Sequence, residues 1–331
     1  MPGRGQQELA STVNDRLETL VTVRDWLRYA VSRFEKAQLH YGHGTTRALD
    51  EAAFLILSAL ELPIEELEPW LDARLVMEER RRLARLIDAR IETRKPAPYL
   101  VNRAYIRGRR FYVDERAIVP RSFIGELICE TMDSPDHDVS PLSFDPADMR
   151  RVLDLCTGGG SLAILAAMAI PGARIDAVDI SPDALDVARR NVADYGLADR
   201  IELIASDLFS ALGGRTYDLI LANPPYVPED RVQQFPPEHA AEPRLAHAGG
   251  ADGLAVIRRI LAEAPQHLSS EGYLVVEIGQ ARAELEASFP ELPFVWLDTA
   301  DSHAEVFCLS ARDFSAPPPS RSATRRRPGR R

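Results

Sequence analysis

Four short stretches of this chain carry residue types whose order suits chemistry on a small ligand. Asp154-Leu155-Cys156-Thr157-Gly158-Gly159-Gly160 follows an apolar run and opens a helical one. Gly158 and Gly160 in such a turn let a ligand come close to the backbone. The dinucleotide fingerprint G-x-G-x-x-G fails, because position 156 is Cys and position 161 is Ser, and no Lys completes a P-loop. Asp179-Ile180 ends a second apolar run, 25 residues after Asp154. A carboxylate there can accept from both hydroxyls of a ribose. Ser206-Asp207-Leu208-Phe209 follows a third run, and Asn223-Pro224-Pro225-Tyr226 a fourth. Two successive prolines fix φ and donate nothing, so the last stretch is a rigid loop whose carbonyls are free to face a cleft. The Asn223 side-chain oxygen and the Pro224 carbonyl can together hold both hydrogens of a planar NH₂ group. Tyr226 offers such a group a flat face, and Pro225 stiffens the loop between them. Taken singly, each stretch also reads as a structural turn; in series, each behind a strand, they read as one site.

Other arrangements are weaker. His40 and His43 lie near a turn without acidic or cysteine partners at ligand spacing, so they read as a cap or connector. Cys129, Cys156 and Cys308 form no zinc pattern, and no metal site is expected. No Ser-His-Asp arrangement is legible. Three cysteines cannot make a disulfide framework, which points to a reducing, cytoplasmic compartment. No apolar run approaches the roughly 18–20 residues of a membrane span, and no signal-peptide core is visible.

These stretches need elements to hold them. At roughly 100–200 residues per domain, 331 residues suggest about two domains. Residues 1–96 read as a helical domain. Leu17 to Phe34 follow one helical stripe, Ala52 to Leu60 form a second helix closed by Pro63, and Met77 to Ile91 a third before Pro96. Residues 97–132 read as a connector: a β-hairpin between Tyr99 and Val113 around Gly108, then a helix from Ile124 to Met132. Residues 133–148, with three prolines and five aspartates, read as an acidic linker. Residues 149–311 alternate strand and helix: strands at 152–155, 174–180, 201–205, 217–222 and 273–278, helices at 161–169, from Ser181, at 252–267 and at 281–289. A final strand pair at 294–297 and 306–309 suggests an antiparallel edge hairpin. This is an α/β pattern, a doubly wound and mostly parallel sheet, which binds ligands beyond the carboxyl ends of its strands. Residues 312–331, with Pro317-Pro318-Pro319 and an arginine run, read as a disordered basic tail.

The formal charge is −10, but seven arginines and one aspartate give residues 312–331 a net +6, leaving −16 elsewhere. An acidic body is a poor non-specific binder of nucleic acid and suits a basic protein partner.

The order of these motifs resembles the class I S-adenosylmethionine methyltransferases. Asp154-x-Cys156-x-Gly158-x-Gly160 is close to their D-x-G-x-G-x-G loop. The resemblance implies that Asp154, Cys156, Thr157, Gly158 and Gly160 form the cofactor loop, that Asp179 and Ile180 hold the ribose side, and that Asn223 also touches the cofactor. It further implies that Asp207 accepts from the adenine amino group while Leu208 packs on the ring. Asn223-Pro224-Pro225-Tyr226 resembles the motif of amino-methyltransferases, which act on exocyclic amines of bases or on the glutamine side-chain amide. Over nearly its full length the chain is similar to the protein-glutamine N5-methyltransferases. Tyr41-Gly42-His43-Gly44-Thr45, Ala48 to Ala52, Phe111 to Arg116 and Val119-Pro120-Arg121-Ser122 resemble the branch that modifies the third protein of the large ribosomal subunit. The sister branch, acting on peptide release factors, usually has a second proline where Ser122 stands. The resemblance implies methyl transfer to a glutamine amide nitrogen, with Asn223 and Pro224 as the catalytic pair and a basic ribosomal protein as partner, read by the helical domain and hairpin. A nucleic-acid amine methyltransferase, a release-factor enzyme and a non-catalytic ribosome-assembly binder are the rival readings.

Overall fold

The computed structural model describes residues 15–133, 149–299 and 302–315. Of the linker expected at 133–148, Asp133 ends a helix and the remaining residues lie outside those described, as does the tail beyond Ser315. The helical stripe expected from Leu17 to Phe34 is broken. A helical turn at 15–19 is followed by α1, Val23–Lys36, because Thr22 and Asp25 form a reciprocal cap that ends one segment and starts the next. Helices α2, Ala48–Ala59, and α3, Met77–Thr93, pack on α1 around Trp26, Phe34, Leu55 and Leu83, all fully buried. A short helix α4, Ala97–Val101, takes Tyr99 and Val101 out of the expected hairpin. Strands β1, Ala104–Ile106, and β2, Arg109–Phe111, are joined through Arg107 and Gly108. Both turn residues have positive φ, the two-residue hairpin geometry that Gly108 favours. Helix α5, Phe123–Asp133, follows.

The second unit is a seven-stranded sheet. It starts with the interior strand β3, Arg151–Leu155; helix α6, Ser161–Ala169, leads to β4, Arg174–Asp179, and helix α7, Pro182–Asp194, to β5, Ile201–Ala205. Strand β6, Tyr217–Ala222, returns to the other side of β3. After a short helix α8, Glu229–Val232, and helix α9, Ala255–Glu263, comes β7, Leu268–Glu277, then helix α10, Arg282–Ser288, and strands β8, Val295–Leu297, and β9, Val306–Ser310. The order is β5-β4-β3-β6-β7-β9-β8. The strands β3 to β7 run parallel, and β9 pairs antiparallel with both β7 and β8, so β8 and β9 form the expected antiparallel hairpin at one edge. The expected helix at 252–267 is shorter, since Asp252 caps the turn before it and Pro265 converts its end to a 3₁₀ turn. The basic tail begins later than expected: Ala311–Phe314 form a 3₁₀ turn capped by Ser310 and Asp313.

Each face of the sheet is buried. Leu162, Leu165 and Ile124 cover one side, Ile257, Ile260 and Leu285 the other. The chain leaves β3 toward β4 and later returns to β3's opposite side with β6, so a crevice opens between their carboxyl ends.

Candidate functional site

Sheet register sets the site. Leu155 pairs with both Val178 and Ala222, and Asp179 pairs with Ala205. The residues just after these positions, Cys156, Asp179-Ile180, Ser206-Asp207-Leu208 and Asn223, therefore emerge at one level. They line a single cavity of about 420 Å³.

One lobe of the cavity is formed by Cys156, Gly158, Asp179, Ile180, Asp207 and Leu208. Cys156 and Leu208 both have positive φ, which turns their loops sharply at the strand ends. Asp179 accepts from the Gly158 and Ser181 amides, each at 2.9 Å, which fixes its carboxylate in the wall. Burial raises its pKa, and those two amides oppose the rise. Asp207 pairs with Arg259 at 2.9 Å and stays half exposed. A Cβ on Gly158 would sit 3.8 Å from Ile118 across the cavity, so a side chain there would fill the space a nucleoside needs. The donor and acceptor set thus fits a ribose and a planar base.

Three residues expected to touch the cofactor stand behind this wall instead. Asp154 is fully buried and accepts from Thr157 Oγ1 at 2.5 Å and the Ala163 amide at 3.0 Å. Its carboxyl is pushed up to about 7 by burial. The Thr157 amide donates to Val178. Gly160 has φ +82°, and a Cβ there would come within 3.1 Å of Ala188 Cβ on α7. These three shape the loop and let α6 and α7 close on each other.

The second lobe holds Asn223, Pro224, Pro225 and Tyr226. The Asn223 Nδ2 group donates to the Arg121 carbonyl at 3.3 Å, which leaves the amide oxygen as the end that can accept. The Tyr226 ring lies against Gly279, where a Cβ would clash at 2.7 Å. Its hydroxyl donates to Glu277 at 3.4 Å. Glu277 is buried on β7, accepts from Ser122 Oγ at 2.8 Å and the Phe123 amide at 2.9 Å, and is pushed up to about 7 by burial.

The segment after Tyr226 forms the far wall through Phe235, His239, Leu245 and His247. It folds back through Val227, which bonds the His247 carbonyl and the Gly249 amide at 2.9 Å each. Gly249 and Gly253 permit this, since a Cβ on either would strike backbone of the same loop. Two buried glutamates tie the segment to the rest. Glu238 accepts from the His40 amide at 3.0 Å and Arg94 at 3.1 Å, with Arg90 at 3.6 Å. Glu242 accepts from Arg121 through both oxygens at 2.8 Å, and from the Val119 amide at 3.0 Å. His247 Nε2 stands 3.0 Å and His43 Nε2 3.4 Å from its Oε2. Burial alone would raise the Glu242 carboxyl, but Arg121 and the two histidines hold it well below the usual carboxylate range. His239 is lowered to about 4 by burial and the neighbouring His43.

Sequence reasoning named Arg121 only within the Val119-Pro120-Arg121-Ser122 motif, without a role, and missed His239, Glu242, His247 and Glu277. Residues 227–251 show no period of either kind, and the one available signal was their position directly after Tyr226. His40 and His43 join the helical domain to this segment, through a backbone amide and a buried ring. His43, His239 and Glu242 also bring one ligand atom each within 4.8 Å. The Arg121 guanidinium already satisfies Glu242 there and would repel a cation.

Among the described residues, no helix is long and apolar enough to cross a membrane. Residues 140–236 match the model of the methyltransferase small domain. The chain is 51% identical over 311 residues to a ribosomal protein uL3 glutamine methyltransferase of Bradyrhizobium diazoefficiens, covering 94% of this chain and 96% of the relative. It is 51% identical to that of Bordetella pertussis over 90% of this chain and 97% of the relative. The relative in Neisseria meningitidis is 49% identical, over 90% of this chain and 95% of its own length. Half-identity over nearly the whole of both chains, helical domain included, leaves one conclusion: the chain belongs to the ribosomal protein uL3 glutamine methyltransferases.

Proposed function

We propose that the protein transfers a methyl group from S-adenosylmethionine to the side-chain amide nitrogen of a glutamine in ribosomal protein uL3, in the cytoplasm. The observation that carries this reading is Asn223, whose amide is turned by the Arg121 carbonyl so that its oxygen is the accepting end, in the same cavity as Asp179, Asp207 and Leu208. Bound S-adenosylmethionine supplies an electrophilic methyl on a sulfonium. Asp179 and Asp207 hold its ribose and adenine ends, and Leu208 and Ile180 cover the base. An amide nitrogen is a poor nucleophile because its lone pair is delocalised. Asn223 Oδ1 and the Pro224 carbonyl accept from its two N–H groups, and the Tyr226 ring supports the amide plane. This aims the lone pair at the methyl and favours the positive charge that grows on nitrogen, which is catalysis by positioning and preorganised electrostatics. One of the two amide protons then leaves to solvent. No group in the second lobe is needed as a base.

Selectivity for uL3 is assigned to the helical domain and hairpin, because a pocket for an amide does not distinguish one glutamine from another. The test offers free uL3, assembled large subunits, a class-one release factor and ribosomal RNA with labelled S-adenosylmethionine, and maps the methylated residue by mass spectrometry. Label on one glutamine of uL3 is expected. Preferential labelling of the release factor would move the substrate assignment, and label in RNA alone would remove the glutamine chemistry as well.

A further inference from the structure

We infer that Glu242 is a positioning residue for methyl transfer, acting through Arg121 on Asn223; the inference rests on the amide-binding role of Asn223 proposed above. Three observations connect them. Both Glu242 oxygens are bonded by Arg121, and Oε1 also takes the Val119 amide, so the carboxylate grips segment 119–121 at its backbone and at its side chain. The carbonyl of that same Arg121 accepts from Asn223 Nδ2, which decides which end of the Asn223 amide faces the substrate. Glu242 itself is buried, 5% exposed, and lies on the segment that forms the far wall of the second lobe. A bidentate pair between a guanidinium and a carboxylate fixes distance and plane together. Here it fixes the plane of segment 119–121 against the loop of Asn223.

The other side of segment 119–121 is held separately. Ser122 and Phe123 are fastened to Glu277 on the sheet. With Glu277 alone the segment has one anchor and can pivot about it. Glu242 supplies the second anchor, from a segment that is in turn fixed to the helical domain by Glu238 and His43. The cofactor lobe, formed by Cys156, Asp179 and Asp207, shares none of these bonds. Loss of Glu242 therefore separates turnover from cofactor affinity, which a general loss of structure does not.

The experiment measures single-turnover methyl transfer to uL3, KM for uL3, and cofactor affinity by calorimetry on the full chain. Glu242→Gln keeps shape and one acceptor but loses the charged fork. Its turnover is expected to fall at least tenfold, with cofactor affinity within threefold of wild type and KM for uL3 changing less than turnover. Arg121→Lys keeps the charge and one bond, and is expected to show the same split with a smaller loss. The double variant Arg121→Gln with Glu242→Gln removes the unpaired buried charge that a single change leaves. It is expected to be no slower than the slower single variant, because residues in one chain of action are not additive. If Glu242→Gln does not fold, Arg121→Lys and the double variant decide. Turnover within threefold of wild type in a folded variant would overturn the inference, as would cofactor affinity falling in step with turnover. Multiplying losses in the double variant would overturn it too. A wild-type enzyme that methylates a different protein glutamine would change the substrate reading alone, since each variant is compared with wild type on the acceptor it uses.

Discussion

At the scale of single residues, the two lobes respond to different substitutions. Asp179 is held by two backbone amides with its carboxylate in the cofactor lobe. Asp179→Ala is expected to weaken S-adenosylmethionine binding by roughly 1.5–3 kcal/mol, about 10- to 150-fold. Calorimetric titration of a folded variant checks this, and unchanged affinity would take Asp179 out of the site. Asn223→Ala is expected to slow single-turnover transfer by ~10²–10³ at saturating cofactor, the usual cost of one lost positioning contact. A rate within threefold of wild type would contradict its role. Glu277 sets a pH dependence. Burial holds its carboxyl at about 7 in the folded chain, well above the ~4.3 of an exposed glutamate. Between those values the folded state binds more protons than the unfolded one, so stability contributed by this group falls as pH rises through that window. Asp154, also at about 7, adds to the same slope. Glu242 has the opposite sign: its lowered pKa gives stability that is present at neutral pH and lost in acid. Glu277→Gln, which can still accept from Ser122 and Phe123, should flatten the decline between pH 5 and pH 7.5 in urea denaturation. An unchanged slope would mean that Glu277 does not titrate there.

At the scale of elements, the parts that could be read from sequence are those with a period or a cap. Strands β3 to β6 and helices α6 and α7 lie almost where apolar runs, Ser181 and Pro182 place them, and their register delivers Cys156, Asp179, Asp207 and Asn223 to one cavity. The break before α1 was hidden, because apolar spacing continues through Leu20 and Val21 while the Thr22–Asp25 cap ends it. The role of Asp154 was misplaced for a related reason. A motif gives order along a strand but not which face of the loop a carboxylate takes, and this one turns inward to Thr157 and Ala163. The wall at 227–251 was illegible because it is built from ion pairs and glycine contacts to distant residues, not from local periodicity. Ser122 illustrates how one residue serves two elements. Its hydroxyl accepts from the Gly125 amide at 3.3 Å, capping α5, and donates to Glu277 at 2.8 Å. Ser122→Ala is expected to cost about 1–2 kcal/mol, the range of a lost cap. It should appear as a lower urea midpoint with an unchanged m-value. A midpoint equal to wild type would show that α5 needs no cap there.

At the scale of the whole molecule, the charge is not spread evenly over the body. Residues 1–96 carry 16 acidic and 15 basic side chains, whereas residues 149–311 carry 24 acidic and 12 basic ones. The negative charge that suits a basic ribosomal protein thus lies mainly on the methyltransferase unit, and under the proposed reading the nearly neutral helical domain would recognise uL3 by shape and specific contacts instead. Long-range attraction of this kind raises the encounter rate and is screened once the Debye length, about 10 Å at 0.1 M salt, falls below the separation of the charges. The bonds that hold Asn223 and Arg121 in the second lobe are partly buried, and screening reaches them little. Two consequences separate cleanly. The kcat/KM for free uL3 is expected to fall several-fold between about 0.05 and 0.5 M salt, while single-turnover transfer at saturating uL3 changes less than twofold. Assembled large subunits, in which RNA already neutralises the basic surface, are expected to be poorer substrates and to show a weaker salt dependence than the free protein. Stopped-flow or quenched-flow methylation across a salt series, run on both substrates, reads all of these at once. A kcat/KM that is flat in salt would show that the acidic unit takes no part in encounter and that recognition rests on the helical domain and hairpin alone.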